Sequence, residues 1–61
     1  MKQVLVTISG GLIDQVLFFE KEVEALRELE LFVKGMDEET EDAGVYEPDG
    51  LIANAKMYMD K

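Results

Sequence analysis

The densest group of potential ligand atoms is Asp37-Glu38-Glu39-Thr40-Glu41-Asp42, five carboxylates within six residues. Hard cations such as calcium and magnesium take clustered carboxylate oxygens, so this run is the natural place to look for a metal. A calcium loop started at Asp37 puts Glu39 and Glu41 at the third and fifth positions. It puts Asp42 where the sharp turn needs Gly, and Pro48 where a bidentate Glu is required. The spacing therefore predicts a solvated acidic connection over Asp37–Asp42 and assigns no metal site, while a divalent cation there is left open.

The other chemistries fare no better. Paired carboxylates can act as general acid and base, but they need a cleft that holds substrate, and 61 residues make about one core layer. Ser9-Gly10-Gly11 has the small residues of a phosphate-cradling loop, yet such loops run from a strand into a helix, and here a second strand follows. The Lys-Ser/Thr pair of a P-loop and the spaced glycines of a dinucleotide fingerprint are also missing. Thr7, Ser9 and Thr40 are nominal nucleophiles. With no His and no Cys in the chain, activation would fall to a Lys or a carboxylate that no spacing places beside them. No catalytic residue and no cofactor is predicted, and the chain is not expected to be an enzyme.

The elements that would position any site follow from periodicity. Residues 2–9 alternate, with Val4, Val6 and Ile8 on one side and Gln3, Leu5, Thr7 and Ser9 on the other, which predicts a half-buried strand. Gly10-Gly11 accepts the positive φ of a two-residue hairpin turn, and a second strand follows from Leu12 to Phe19. If the two glycines are the whole loop, Ser9 faces Leu12, Ile8 faces Ile13, Val6 faces Gln15 and Val4 faces Leu17. One face then carries Val4, Val6, Ile8, Ile13, Leu17 and Phe19 as the core, with Gln15 its polar exception. The other carries Gln3, Leu5, Thr7, Leu12, Asp14, Val16 and Phe18, which is more apolar than a solvent face of a hairpin should be.

Residues 20–36 change to helical spacing. Val23, Leu26, Leu29, Phe32, Val33 and Met36 share one arc, and Leu31 is a single apolar residue off it. Glutamates near the start and Lys34 near the end suit the helix dipole, and Gly35 is the expected C-cap. No Ser, Thr, Asp or Asn marks the N-cap. Ala43 to Glu47 is short and apolar enough for a third strand, and Pro48-Asp49-Gly50 is turn chemistry. The tail from Leu51 to Asp60 fits a helix capped by Asp49, with Leu51, Ile52, Ala55, Tyr58 and Met59 on one arc. It also alternates as a strand, in which case Pro48-Gly50 closes a second hairpin. Residue propensity favours the helix.

The predicted fold is a single α+β domain over residues 1–61, ββαβ with a short C-terminal helix, or ββαββ in the alternative. The third strand beside the first gives sheet order 2-1-3, antiparallel to its neighbour. The long helix is expected on the core face. The second face then awaits the tail helix or another molecule, and the candidate interface is Leu5, Leu12, Val16, Phe18 and Tyr58. Tyr46, Tyr58, Met57 and Met59 serve equally well as a partner patch or as core filler.

Composition narrows the partner class. Fourteen acidic and six basic residues give a formal net charge of −8, and the basic residues are scattered, so neither nucleic acid nor an anionic membrane surface is an expected partner. The N-terminus lacks the continuous apolar stretch of a signal peptide, and no segment reaches spanning length, so a cytoplasmic location is expected. Absent cysteines fit a reducing compartment and remove the disulfide staple that many small domains use. Self-association is the remaining staple. The sequence thus points to a small non-enzymatic interaction module, a homodimer formed through the second sheet face or an edge strand. The alternative is an acidic inhibitor or nucleic-acid-mimicking decoy that docks on a basic partner, since this charge steers association with cationic surfaces.

Overall fold

A computed structural model describes residues 3–59. Among them the chain forms β1 (Gln3–Ser9), β2 (Leu12–Phe19), α1 (Glu22–Lys34), β3 (Glu41–Glu47), β4 (Gly50–Asn54) and α2 (Ala55–Met59). The sheet order is β2-β1-β3-β4, with every neighbouring pair antiparallel. The architecture is α+β, with α1 laid across one face of a four-stranded sheet. The order 2-1-3 is as expected, and β4 extends it. No helix among the described residues is long and apolar enough to cross a membrane.

Local chemistry explains the turns. Gly10 and Gly11 both have positive φ, 61° and 81°, the conformation of a type I′ hairpin. The Gly10 N–H then donates to the Thr40 carbonyl at 2.7 Å, which ties this turn to the start of β3. The helix begins at Lys21 without a side-chain cap, consistent with the lack of a capping residue there. It ends at Gly35, whose N–H donates to the Phe32 carbonyl at 3.2 Å.

The tail combines the two alternatives. Pro48-Asp49 turns the chain, Gly50 follows with φ 132°, and residues 50–54 pair with β3 as a strand. Only then does a helix start, where Asn54 Oδ1 accepts the Met57 N–H at 3.0 Å. Asn54 rather than Asp49 is the N-cap, because the second hairpin consumes Asp49 in its turn. Asp60, the expected end of the tail helix, and Lys2 at the start of the first expected strand lie outside the described residues.

The core is built from Leu5, Ala25, Leu29, Ala43, Val45, Ala53 and Ala55. Its alanines, Ala25 on α1, Ala43 on β3, Ala53 on β4 and Ala55 on α2, let the helices sit close to the sheet. Leu26, Phe32, Val33, Met36, Phe19, Ile52 and Tyr58 pack around it. Val23, expected on the core arc of α1, is instead exposed, and Ala25 takes the central place.

The face assignment of the first hairpin differs from expectation. Ser9–Leu12 and Ile8–Ile13 pair as the two-glycine loop dictates, but the register then shifts, giving Thr7–Gln15, Val6–Val16, Leu5–Leu17 and Val4–Phe18. Asp14 is the extra residue of a β-bulge. A one-residue slip exchanges the two sides of a strand, so Val16 and Phe18 join Val4, Val6, Ile8 and Ile13. The helix covers the opposite side, where Gln3, Leu5 and Thr7 are buried. Leu5 is therefore a core residue at 2% exposure and not part of an open interface.

This arrangement buries polar atoms. Gln3 Oε1 and Thr7 Oγ1 lie beneath the helix without a hydrogen-bond partner among the described residues. A buried hydroxyl lacking a partner is destabilising, so Thr7→Val is expected to raise stability by about 1 kcal/mol in urea unfolding. A fall in the urea midpoint would show that this hydroxyl is satisfied in solution.

Candidate interaction surface

Residues directly opposite in an antiparallel pair share a face, so the open side of the sheet can be read strand by strand. β2 contributes Ile13, Val16 and Phe18, and β1 contributes Val4, Val6 and Ile8. Across β1 and β3, Val4 meets Tyr46, Val6 meets Gly44 and Ile8 meets Asp42. Leu51 follows opposite Tyr46, and Asn54 opposite Gly44. Ile13 is 66% exposed, Phe18 67%, Leu51 48%, Val16 45% and Tyr46 43%. Val4, Val6 and Ile8 are half-buried between them.

Gly44 interrupts this surface without opening a hole. A Cβ placed on it would stand 3.1 Å from Tyr46 Cε1 and 3.3 Å from Leu51 Cδ1. The Tyr46 ring thus lies over the glycine and joins β1 to Leu51 on β4. The polar groups that strand pairing puts on this face are the Asp42 and Asn54 side chains and the Tyr46 hydroxyl, and Asp42 Oδ1 accepts the Ala43 N–H at 2.8 Å.

Of the residues expected at an interface, Val16 and Phe18 are on the open face. Leu12 is exposed beside the glycine turn, paired with Ser9 on the other side of the strand from Ile13. Tyr58 is on α2, where it lines a depression with Val23, Leu26, Arg27 and Glu30 of α1, away from the open face. Leu5 is enclosed. The residues that sequence reasoning placed elsewhere are Val4, Val6, Ile8 and Ile13, assigned to the core, and Leu51, assigned to a helix. The strand alternative for the tail was the one signal that could have brought Leu51 into a sheet.

The acidic connection uses its carboxylates to close a turn. Asp37 Oδ1 accepts the Glu39 N–H at 3.0 Å, and Glu41 Oε1 accepts the Asp37 N–H at 2.8 Å. Glu41 and Asp42 already belong to β3. A shallow depression of about 760 Å³ runs past Glu38, Glu39, Glu41, Asp42 and Lys56. Among the described residues no three acidic, His or Cys side chains converge in a way that could hold a metal ion. The chain matches no protein-family model, no curated protein and no solved structure.

Proposed function

We propose that the chain is a small, non-enzymatic interaction module that self-associates as a homodimer through the open face of its sheet. One observation carries this. On β1 the covered side holds Gln3, Leu5 and Thr7, whereas the uncovered side holds Val4, Val6 and Ile8. An antiparallel sheet with one solvated face normally turns its polar side to water, and this strand leaves its more apolar side open.

A second copy is the occupant that the surface suits. With side-chain areas of about 150–200 Å² each, the exposed parts of the face come to roughly 600 Å². Two copies would bury about 1,200 Å² in total, the lower end of specific interfaces. Two sheets stacked about 10 Å apart would make a sandwich with helices on its outer sides. The strand edges are poorer sites for joining two copies, since β2 carries a bulge at Asp14 and β4 is five residues long with a register shift at Ile52. A cysteine-free composition fits a cytoplasmic setting for the module.

Sedimentation equilibrium from about 1 to about 200 μM spans the range in which an interface of this area associates. The expected result is a reversible monomer–dimer equilibrium. A strictly monomeric, stably folded chain throughout that range would overturn self-association. The acidic-decoy alternative draws on the carboxylates of α1 and the 37–42 connection, which lie off the apolar face apart from Asp42. Salt separates the two, because apolar stacking persists where docking by exposed carboxylates is screened away.

A further inference from the structure

The outer edge of β2 lies beside a flank of α1 that neither the core nor the open face uses. A helix advances about 100° per residue. With Ala25, Leu29 and Phe32 turned to the sheet, Glu24, Glu28 and Leu31 fall on one flank and Leu26 and Glu30 on the other. A depression of about 350 Å³ bounded by Phe18, Phe19, Glu20, Glu24, Arg27 and Glu28 identifies the first flank as the one next to β2. α1 packs chiefly over β1 and β3, so β2 protrudes past it. Leu17, on the helix side of β2, remains 38% exposed, and Leu31 on the helix flank 53%. From Gln15 to Phe19 the edge is free of the bulge, and an edge strand offers unpaired backbone N–H and C=O groups on its outer side.

We propose that this edge and flank form a groove for an extended basic peptide, which would add to the sheet as a fifth strand beside β2. Backbone hydrogen bonds to Gln15–Phe19 would hold it. Alternate side chains would point toward α1, where Leu31 meets an aliphatic stem and Glu24 and Glu28 meet its charge. Arg27 also lines the depression, where the carboxylates of Glu20, Glu24 and Glu28 outnumber it, and the net charge of −8 favours approach of a cation. The same charges disfavour a second copy at this edge. Two β2 strands paired about a dyad would set the Glu24 and Glu28 flanks of both helices against each other.

The probe is a short blocked peptide of alternating Lys and Val, titrated into the isotope-labelled protein and followed through its amide NMR signals. Shifts are expected at Gln15–Phe19 and along Glu24–Leu31. Binding is expected to disappear when alternate peptide nitrogens are methylated, and to weaken about tenfold in the Glu24→Lys/Glu28→Lys variant. Both glutamates are on the helix surface, so the variant keeps the fold. The proposal is overturned by an absence of binding, by equal binding of the methylated peptide or of a Glu-Val counterpart, or by shifts confined to Val4, Val6 and Tyr46 on the open face.

Discussion

A Val16→Lys/Phe18→Lys variant is expected to be a folded monomer whose self-association is weakened by at least about two orders of magnitude. Burying a large aliphatic or aromatic side chain contributes about 1.5–3 kcal/mol, and each copy loses two. A loss of about 3 kcal/mol already raises Kd roughly a hundredfold. Both residues are well exposed in the single chain, at 45% and 67%, and their cross-strand partners are Val6 and Val4. Removing those pairs costs the monomer only about 1 kcal/mol. The added lysines make the net charge of −8 less negative by two units, which by itself would ease association. The reduced net charge cannot itself produce a monomer, so dissociation locates the contact at Val16 and Phe18. Sedimentation of the variant beside the parent, with circular dichroism melting for both, checks both halves. A variant that dimerises like the parent would remove the open face from the interface.

The elements were largely legible in the sequence, and the faces were not. Gly10-Gly11 forecast its turn because positive φ is nearly a glycine property, and the apolar spacing from Val23 to Met36 forecast α1 because it repeats over several turns. Order 2-1-3 followed from connectivity. What failed was the register beyond Ile13. Asp14 disfavours a regular strand, but residue type alone does not say whether such a position makes a bulge or simply faces water. Alternation pointed to the wrong covered face, because on β1 the more apolar side, Val4, Val6 and Ile8, is the one left open while Gln3, Leu5 and Thr7 are buried. That choice is made by contacts remote in sequence, with Val45 beside Leu5 and Ala53 beside Val45 under Ala25 and Leu29. The tail was ambiguous for a similar reason. Leu51-Ile52-Ala53 suits either element, and pairing with β3 decides it as far as Asn54. The apolar excess on one face was foreseen through Val16 and Phe18. Its owner on β1 was misjudged, and Leu5 was exchanged for Val4, Val6 and Ile8.

That exchange makes Leu5 the most informative position in the molecule. Leu5→Lys is expected to abolish cooperative folding, and Leu5→Ala and Leu29→Ala to cost about 2–5 kcal/mol each. Leu5 is 2% exposed, flanked by Leu17 and Val45 on the adjacent strands and packed in one core cluster with Ala25 and Leu29. A lysine there must either bury an unpaired ammonium or push α1 off the sheet. A chain of this size has a total stability of only about 5 kcal/mol, so either outcome exhausts it. No such conflict arises at Phe18, where the lysine reaches water directly. The two substitutions, both hydrophobic to Lys on neighbouring strands, therefore separate unfolding from dissociation. Urea titrations with NMR dispersion as the folding readout distinguish them. A folded, monomeric Leu5→Lys protein, together with a Phe18→Lys protein that cannot fold, would exchange the two faces and put the helix on Val4, Val6 and Ile8.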